Sequence, residues 1–133
     1  MPNKSSKGSV KKKAYAYLGP VGTFTELALA QVPEAKGQVW MPVSHVQEAI
    51  DLVISKQAFR AIVPVENSIE GGVSATLDAL AATETIRIYG EYLVNVKFDL
   101  VARPGIKLTD VRTVATHPVA YAQTRKWLGD NLP

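Results

Sequence analysis

Along the chain the apolar positions switch between two periods, and each switch marks an element. Ala14 to Leu18 is short, aromatic-rich and stops at Gly19-Pro20, which predicts a strand. Thr23-Phe24-Thr25-Glu26 has the Thr-x-x-Glu spacing of a capping box, so a helix starts there, runs to about Val32 and ends near Pro33. Gln38 to Val43 predicts the next strand. Ser44-x-x-Gln47 repeats the capping spacing, and Val46, Ala49, Ile50 and Val53 share one helical face. Phe59 to Val65 is nearly continuous in apolar residues, as in a strand covered on both sides. A polar loop, Glu66-Asn67-Ser68-Ile69-Glu70-Gly71-Gly72, leads into a helix from about Ser74 to Ala82. Strands alternating with helices of this length build βαβ units on a parallel sheet, which gives the fold class as α/β.

From Ile86 to Val101 the pattern changes. Tyr92, Val94, Val96, Phe98 and Leu100 alternate with Leu93, Asn95, Lys97, Asp99 and Val101, the period-two signal of a half-buried strand long enough to pass from one sheet to another. Arg103-Pro104-Gly105 turns the chain, and Val111 to Thr116 predicts another short strand. Pro118 stands at the first position of a final helix that closes at Gly129, with Trp127 expected in its core face.

Composition narrows the chemistry. The 133 residues suffice for one domain or a little less than two, and none is Cys, which excludes a disulfide framework and a thiolate site. His45 and His117 are the two histidines, too few for a His-rich metal centre. The net charge of +3 comes from Lys4, Lys7, Lys11, Lys12 and Lys13; the rest of the chain is slightly acidic. Residues 1–13 therefore read as a disordered Lys-rich tail, and no nucleic-acid partner is expected. No secretory signal and no apolar run of membrane-spanning length is present, so no membrane association and a cytoplasmic location are expected.

Parallel sheets bind ligands outside the carboxyl ends of their strands. Three loops stand at such ends: Gly19 to Thr25, Glu66 to Val73, and Thr116 to Pro118. All three contain hydroxyls or amides and are short of permanent cations, which suits a small anionic ligand held by neutral donors. The first lacks the Gly-Lys-Ser/Thr ending of a phosphate loop and the third glycine of a dinucleotide site. A capped strand-to-helix turn explains it without a ligand. In the second, Asn67 and Ser68 can grip a carboxylate or hydroxyl, and Glu66 is a general acid if burial raises its pKa, or else part of a hydrogen-bonded turn. In the third, His117 either exchanges protons near neutral pH or orients the helix start.

Taken together, three segments resemble the catalytic domain of prephenate dehydratase: Ala16-Tyr17-Leu18-Gly19-Pro20-Val21-Gly22-Thr23-Phe24-Thr25-Glu26, Val63-Pro64-Val65-Glu66-Asn67-Ser68-Ile69-Glu70-Gly71-Gly72-Val73, and Thr116-His117-Pro118 with Gln123. Thr76-Leu77-Asp78-Ala79-Leu80 also looks familial, and the order and spacing hold across Ala14 to Leu132. The resemblance implies a bilobal fold like a type-II periplasmic binding protein. Residues 14–133 would form the N-terminal portion of the catalytic domain, with the first lobe complete or nearly so at about 14–88 and the second begun but truncated at about 89–133. It implies conversion of prephenate to phenylpyruvate with loss of water and carbon dioxide, in phenylalanine biosynthesis, without a cofactor. Asn67, Ser68 and Thr116 would be catalytic, and Thr23, Thr25, Glu66, His117 and Gln123 would join them in binding substrate. A homodimer or homotetramer is implied, with phenylalanine acting through an ACT domain that this chain lacks.

The sequence departs from the family pattern in places. Thr25 and Thr116 stand where serine is common, keeping the hydroxyl, and Val119 replaces a glutamine. The Thr-Arg-Phe motif, whose threonine is essential in the family, does not occur, so these 133 residues alone are expected to be inactive. The alternative is a non-catalytic module of the same bilobal class that binds a small carboxylate.

Overall fold

The computed structural model describes residues 11–69 and 71–132. Most of the tail expected to be disordered, together with Glu70 of the second loop, lies outside the described residues. Lys13 is described, and it is tied to the sheet: its N–H donates to Gln38 Oε1 at 2.7 Å and its carbonyl accepts from Val39 N at 3.0 Å.

Three parallel strands, β1 (Ala14–Leu18), β2 (Val39–Val43) and β3 (Arg60–Ile62), lie in the order β2-β1-β3. The central strand has the most buried sequence because it is covered on both faces. Its side chains alternate, so Tyr15 and Tyr17 pack with Leu29, Val32 and Ala35, while Ala16 packs with Val43, Ala49 and Ala58. Leu29 belongs to α1 (Phe24–Ala30) and Ala49 to α2 (Val46–Ile54), which places the two helices on opposite faces of the sheet. Fully burying a side chain such as Leu29 contributes about 1.5–3 kcal/mol. A third cluster joins Val46 and Ile50 of α2 to Ala79 of α3 (Ser74–Ala81). The α/β class and the parallel sheet thus follow the sequence pattern.

Several boundaries differ from the pattern. The third strand stops at Ile62 rather than Val65, and the polar loop after it is a small antiparallel hairpin, β4 (Glu66–Asn67) with β5 (Gly71–Gly72). The first helix ends at Ala30 and is followed by a 3-10 turn, Pro33–Ala35, whose last carbonyl accepts from Trp40 Nε1 at 2.9 Å. The capping spacing at Ser44 and Gln47 is displaced by one residue. His45 is the N-cap of α2, and Glu48, three residues on, accepts from Ser44 N at 3.0 Å.

The chain divides into two compact units, one ending at Val94 and the other beginning at Asn95. In the second, Arg103-Pro104-Gly105 makes the expected turn, with Ile106 N donating to Arg103 O at 3.3 Å and Gly105 at φ +90°. That is the signature of a type II turn, which needs a left-handed residue at its third position. Neither Ile86–Val101 nor Val111–Thr116 forms a strand. Alternation expresses a preference for two faces, whereas a strand requires ladder bonds to a neighbour, and among the described residues neither segment has one. The final helix, α4 (Pro118–Asn131), has Pro118 at its first position as expected but runs through Gly129 and is capped at Leu132. Trp127 is 47% exposed, contrary to the expected core position.

Candidate functional site

In the first unit, β1 and β3 are parallel neighbours, so their carboxyl ends open on the same edge of the sheet. The connections also reverse there, since β1 leads outward to β2 and β3 returns on the other side. Such a switch point is where open parallel sheets leave a crevice for ligands. Gly19–Thr25 leaves β1 at this edge, and Val63–Pro64–Val65 carries the chain from β3 into the hairpin with Glu66, Asn67 and Ser68.

The first loop is wired into its own scaffold. Gly19 N donates to Val43 O at 2.8 Å, and a Cβ at Gly19 would sit 2.9 Å from Pro42 Cβ, so only glycine allows this approach to β2. Thr23 is the N-cap of α1: its hydroxyl donates to Leu18 O at 3.2 Å and accepts from Glu26 N at 3.4 Å. The Glu26 carboxylate accepts from Gly22 N, one residue before the N-cap amide of an ordinary capping box. Thr25 is half-buried, and its hydroxyl makes no hydrogen bond among the described residues. Beneath the loop, burial pushes the Tyr17 phenol above its ordinary pKa, and the Glu26 carboxylate adds to the effect.

The hairpin is held less tightly. Its ladder pairs Glu66 with Gly72 and Asn67 with Gly71, and Val73 N donates to Val65 O at 2.8 Å. Gly71, at φ +82°, supplies a left-handed position. Asn67 is half-buried and its Oδ1 accepts from Ile69 N at 2.9 Å, an Asx turn that fixes the side chain. Glu66 and Ser68 are exposed. The base of the hairpin is anchored by Thr76, fully buried, whose hydroxyl donates to Pro64 O at 2.6 Å. Thr76 carries no chemistry in the sequence pattern, and its anchoring role appears only in three dimensions.

In the second unit the start of α4 collects the third group. His117 is its N-cap, with Nδ1 accepting from Val119 N at 3.2 Å, so the ring proton resides on Nε2 in this arrangement. Thr116, immediately before it, is exposed, and Gln123, one turn after Val119, is half-buried. Thr23, Thr25, Glu66, Asn67 and Ser68 thus follow the carboxyl ends of β1 and β3, and Thr116, His117 and Gln123 lie at or near the start of α4.

Two open depressions lie in the first unit. One of about 490 Å³, lined by Lys11, Lys12, Lys13 and Lys56, is at the amino ends of the strands, away from the loops above. Another of about 610 Å³ lies between α2 and α3 and includes Leu18, His45 and Asp78. No group of three or more His, Asp or Glu that could hold a metal occurs among the described residues. No described helix is long and apolar enough to cross a membrane.

Comparison with known proteins gives concordant matches. The family model described as prephenate dehydratase matches residues 15–133. A prephenate dehydratase of Mycobacterium marinum is 43% identical over 126 residues, covering 89% of this chain and 40% of that protein. One from Amycolatopsis methanolica is 48% identical over 118 residues, with 89% and 38% covered. Among solved structures, prephenate dehydratase from Arthrobacter aurescens in complex with L-Phe aligns with a TM-score of 0.74 at 48% identity, over 89% of this chain and 39% of that one. The chain spans about two-fifths of the length of these relatives.

Proposed function

Because this chain belongs to the prephenate dehydratase family, we propose that the whole protein converts prephenate to phenylpyruvate, water and carbon dioxide on the route to phenylalanine. The observation that supports this reading is that the Gly19–Thr25 loop and the segment leading to the Glu66–Ser68 hairpin follow the carboxyl ends of adjacent parallel strands. Prephenate is a dicarboxylate with a ring hydroxyl, and these residues offer neutral donors suited to both. As the bond to the ring carboxylate breaks, its electron pair aromatises the ring and the hydroxyl leaves as water, taking one proton from a donor. The protein's tasks are to hold the ring and to place that donor.

In this reading Asn67 and Ser68 grip the substrate from the first lobe, about 14–88, with Thr25 and Glu66 beside them and Thr23 holding the loop. Thr116, His117 and Gln123 are the substrate residues of the second lobe, about 89–133. The whole protein has a bilobal fold like that of a type-II periplasmic binding protein. The enzyme works in the cytoplasm, without a cofactor, as a homodimer or homotetramer. The L-Phe bound by the Arthrobacter relative supports phenylalanine as an effector, acting through an ACT domain.

The test is incubation of the full-length protein with prephenate while phenylpyruvate is followed by its absorbance in alkali. Catalytic turnover is expected. Binding of prephenate without turnover would replace this reading with a non-catalytic carboxylate-binding module.

A further inference from the structure

The two hydroxyls of the first loop have different employment. Thr23 spends its proton on Leu18 O and a lone pair on Glu26 N, whereas the Thr25 hydroxyl is left to other partners. What fixes Thr25 is the first turn of α1, and what fixes that turn is Glu26. Its carboxylate takes the amide of Gly22, which sits at φ +88°, in the left-handed region that the turn requires. The same carboxylate neighbours the phenol of Tyr17, a β1 residue 1% exposed and packed among Tyr15, Leu29 and Val32. Glu26 therefore connects the buried strand, the glycine turn and the helix start.

We propose that Glu26 is a positioning residue of the ligand site, holding the Gly22 turn so that the Thr25 hydroxyl faces the crevice beside the hairpin. The inference rests on the reading of that crevice as the prephenate site. Glu26 itself does not touch the ligand, because its carboxylate is engaged by the protein. The buried Tyr17 phenol lies beside the carboxylate, and its pKa is raised by burial and then by the Glu26 charge.

A plain helix cap would act on stability, whereas a positioning residue acts on catalysis at equal stability. The experiment compares Glu26→Ala, Glu26→Gln and Ala30→Gly in the full-length enzyme. Ala30 is exposed at the end of α1, and its replacement weakens the helix without touching the turn. Glu26→Ala should lose about tenfold to a hundredfold in kcat/KM, a loss typical of a misplaced contact. Glu26→Gln, which keeps an oxygen for Gly22 N, should stay within about threefold of the parent, and so should Ala30→Gly. Amide exchange at Gly22, read in the same proteins without substrate, should quicken in Glu26→Ala alone. Unchanged exchange at Gly22, or a Gln variant as impaired as Ala, would overturn the proposal. An unaltered enzyme that ignores prephenate while Gly22 still loses protection in Glu26→Ala would overturn the prephenate reading instead.

Discussion

The two loops at the carboxyl ends of β1 and β3 start from similar material and end in opposite states. Both are short, contain glycines and carry polar side chains. The Gly19–Thr25 loop turns those groups inward: Gly19 bonds to β2, Thr23 to the end of β1, and Glu26 to the Gly22 amide. Among the described residues the Glu66–Gly72 hairpin pairs Glu66 with Gly72 and Asn67 with Gly71, with Glu66 and Ser68 exposed and Asn67 Oδ1 held in an Asx turn. Polar composition alone does not mark a binding loop. What matters is how many of its donors and acceptors the backbone has already claimed.

The largest effect that would sharpen this contrast is on catalysis. If Asn67 grips the substrate as proposed, Asn67→Ala in the full-length protein should cost about 10²–10³ in kcat, far more than the loss of its bond to Ile69 N costs in stability. Steady-state kinetics beside a thermal melt checks it. Next comes the scaffold: Gly19→Val forces a Cβ against Pro42 and should destabilise the fold by about 1–3 kcal/mol, measured by denaturant titration. Thr76→Val strips the bond to Pro64 O and leaves a carbonyl unpaired beneath the hairpin, for a loss of about 1–3 kcal/mol on the same titration.

Smaller effects fall on the phenols of β1. Burial raises the pKa of both Tyr15 and Tyr17 above 10.0. The folded chain then retains protons that the unfolded chain releases, so stability is full below about pH 10 and falls as the pH rises beyond it. Denaturant midpoints taken either side of about pH 10 should show the decline, and Tyr17→Phe should flatten it. Tyr15→Phe should be the mildest change. Its hydroxyl is buried without a partner among the described residues, so stability should stay level or rise by up to about 1 kcal/mol.

Much of this was legible in the sequence, for reasons that particular residues make clear. The parallel sheet follows from the apolar stretch of β1 and from helices announced by Thr23 and by the Val46–Ile50 face. Local side-chain to backbone bonds, such as that of His117 to Val119, follow spacing closely. The failures are non-local. Tyr92 to Val101 alternates, yet alternation cannot supply the neighbour that makes a strand. Trp127 reads as core from its type alone, while burial depends on what packs above it. At the site, the residue types were readable, but the difference between Thr23 and Thr25 depends on where the Leu18 carbonyl lies in space.

The measurement that tests the contrast most directly is a crystal structure of the full-length protein with phenylpyruvate, the proposed product, bound. The account predicts product in contact with Asn67 or Ser68 and with the Thr25 hydroxyl, while Thr23 remains bonded to Leu18 O. Product held by Thr23 with that bond broken, or bound without contact to residues 66–68, would contradict it.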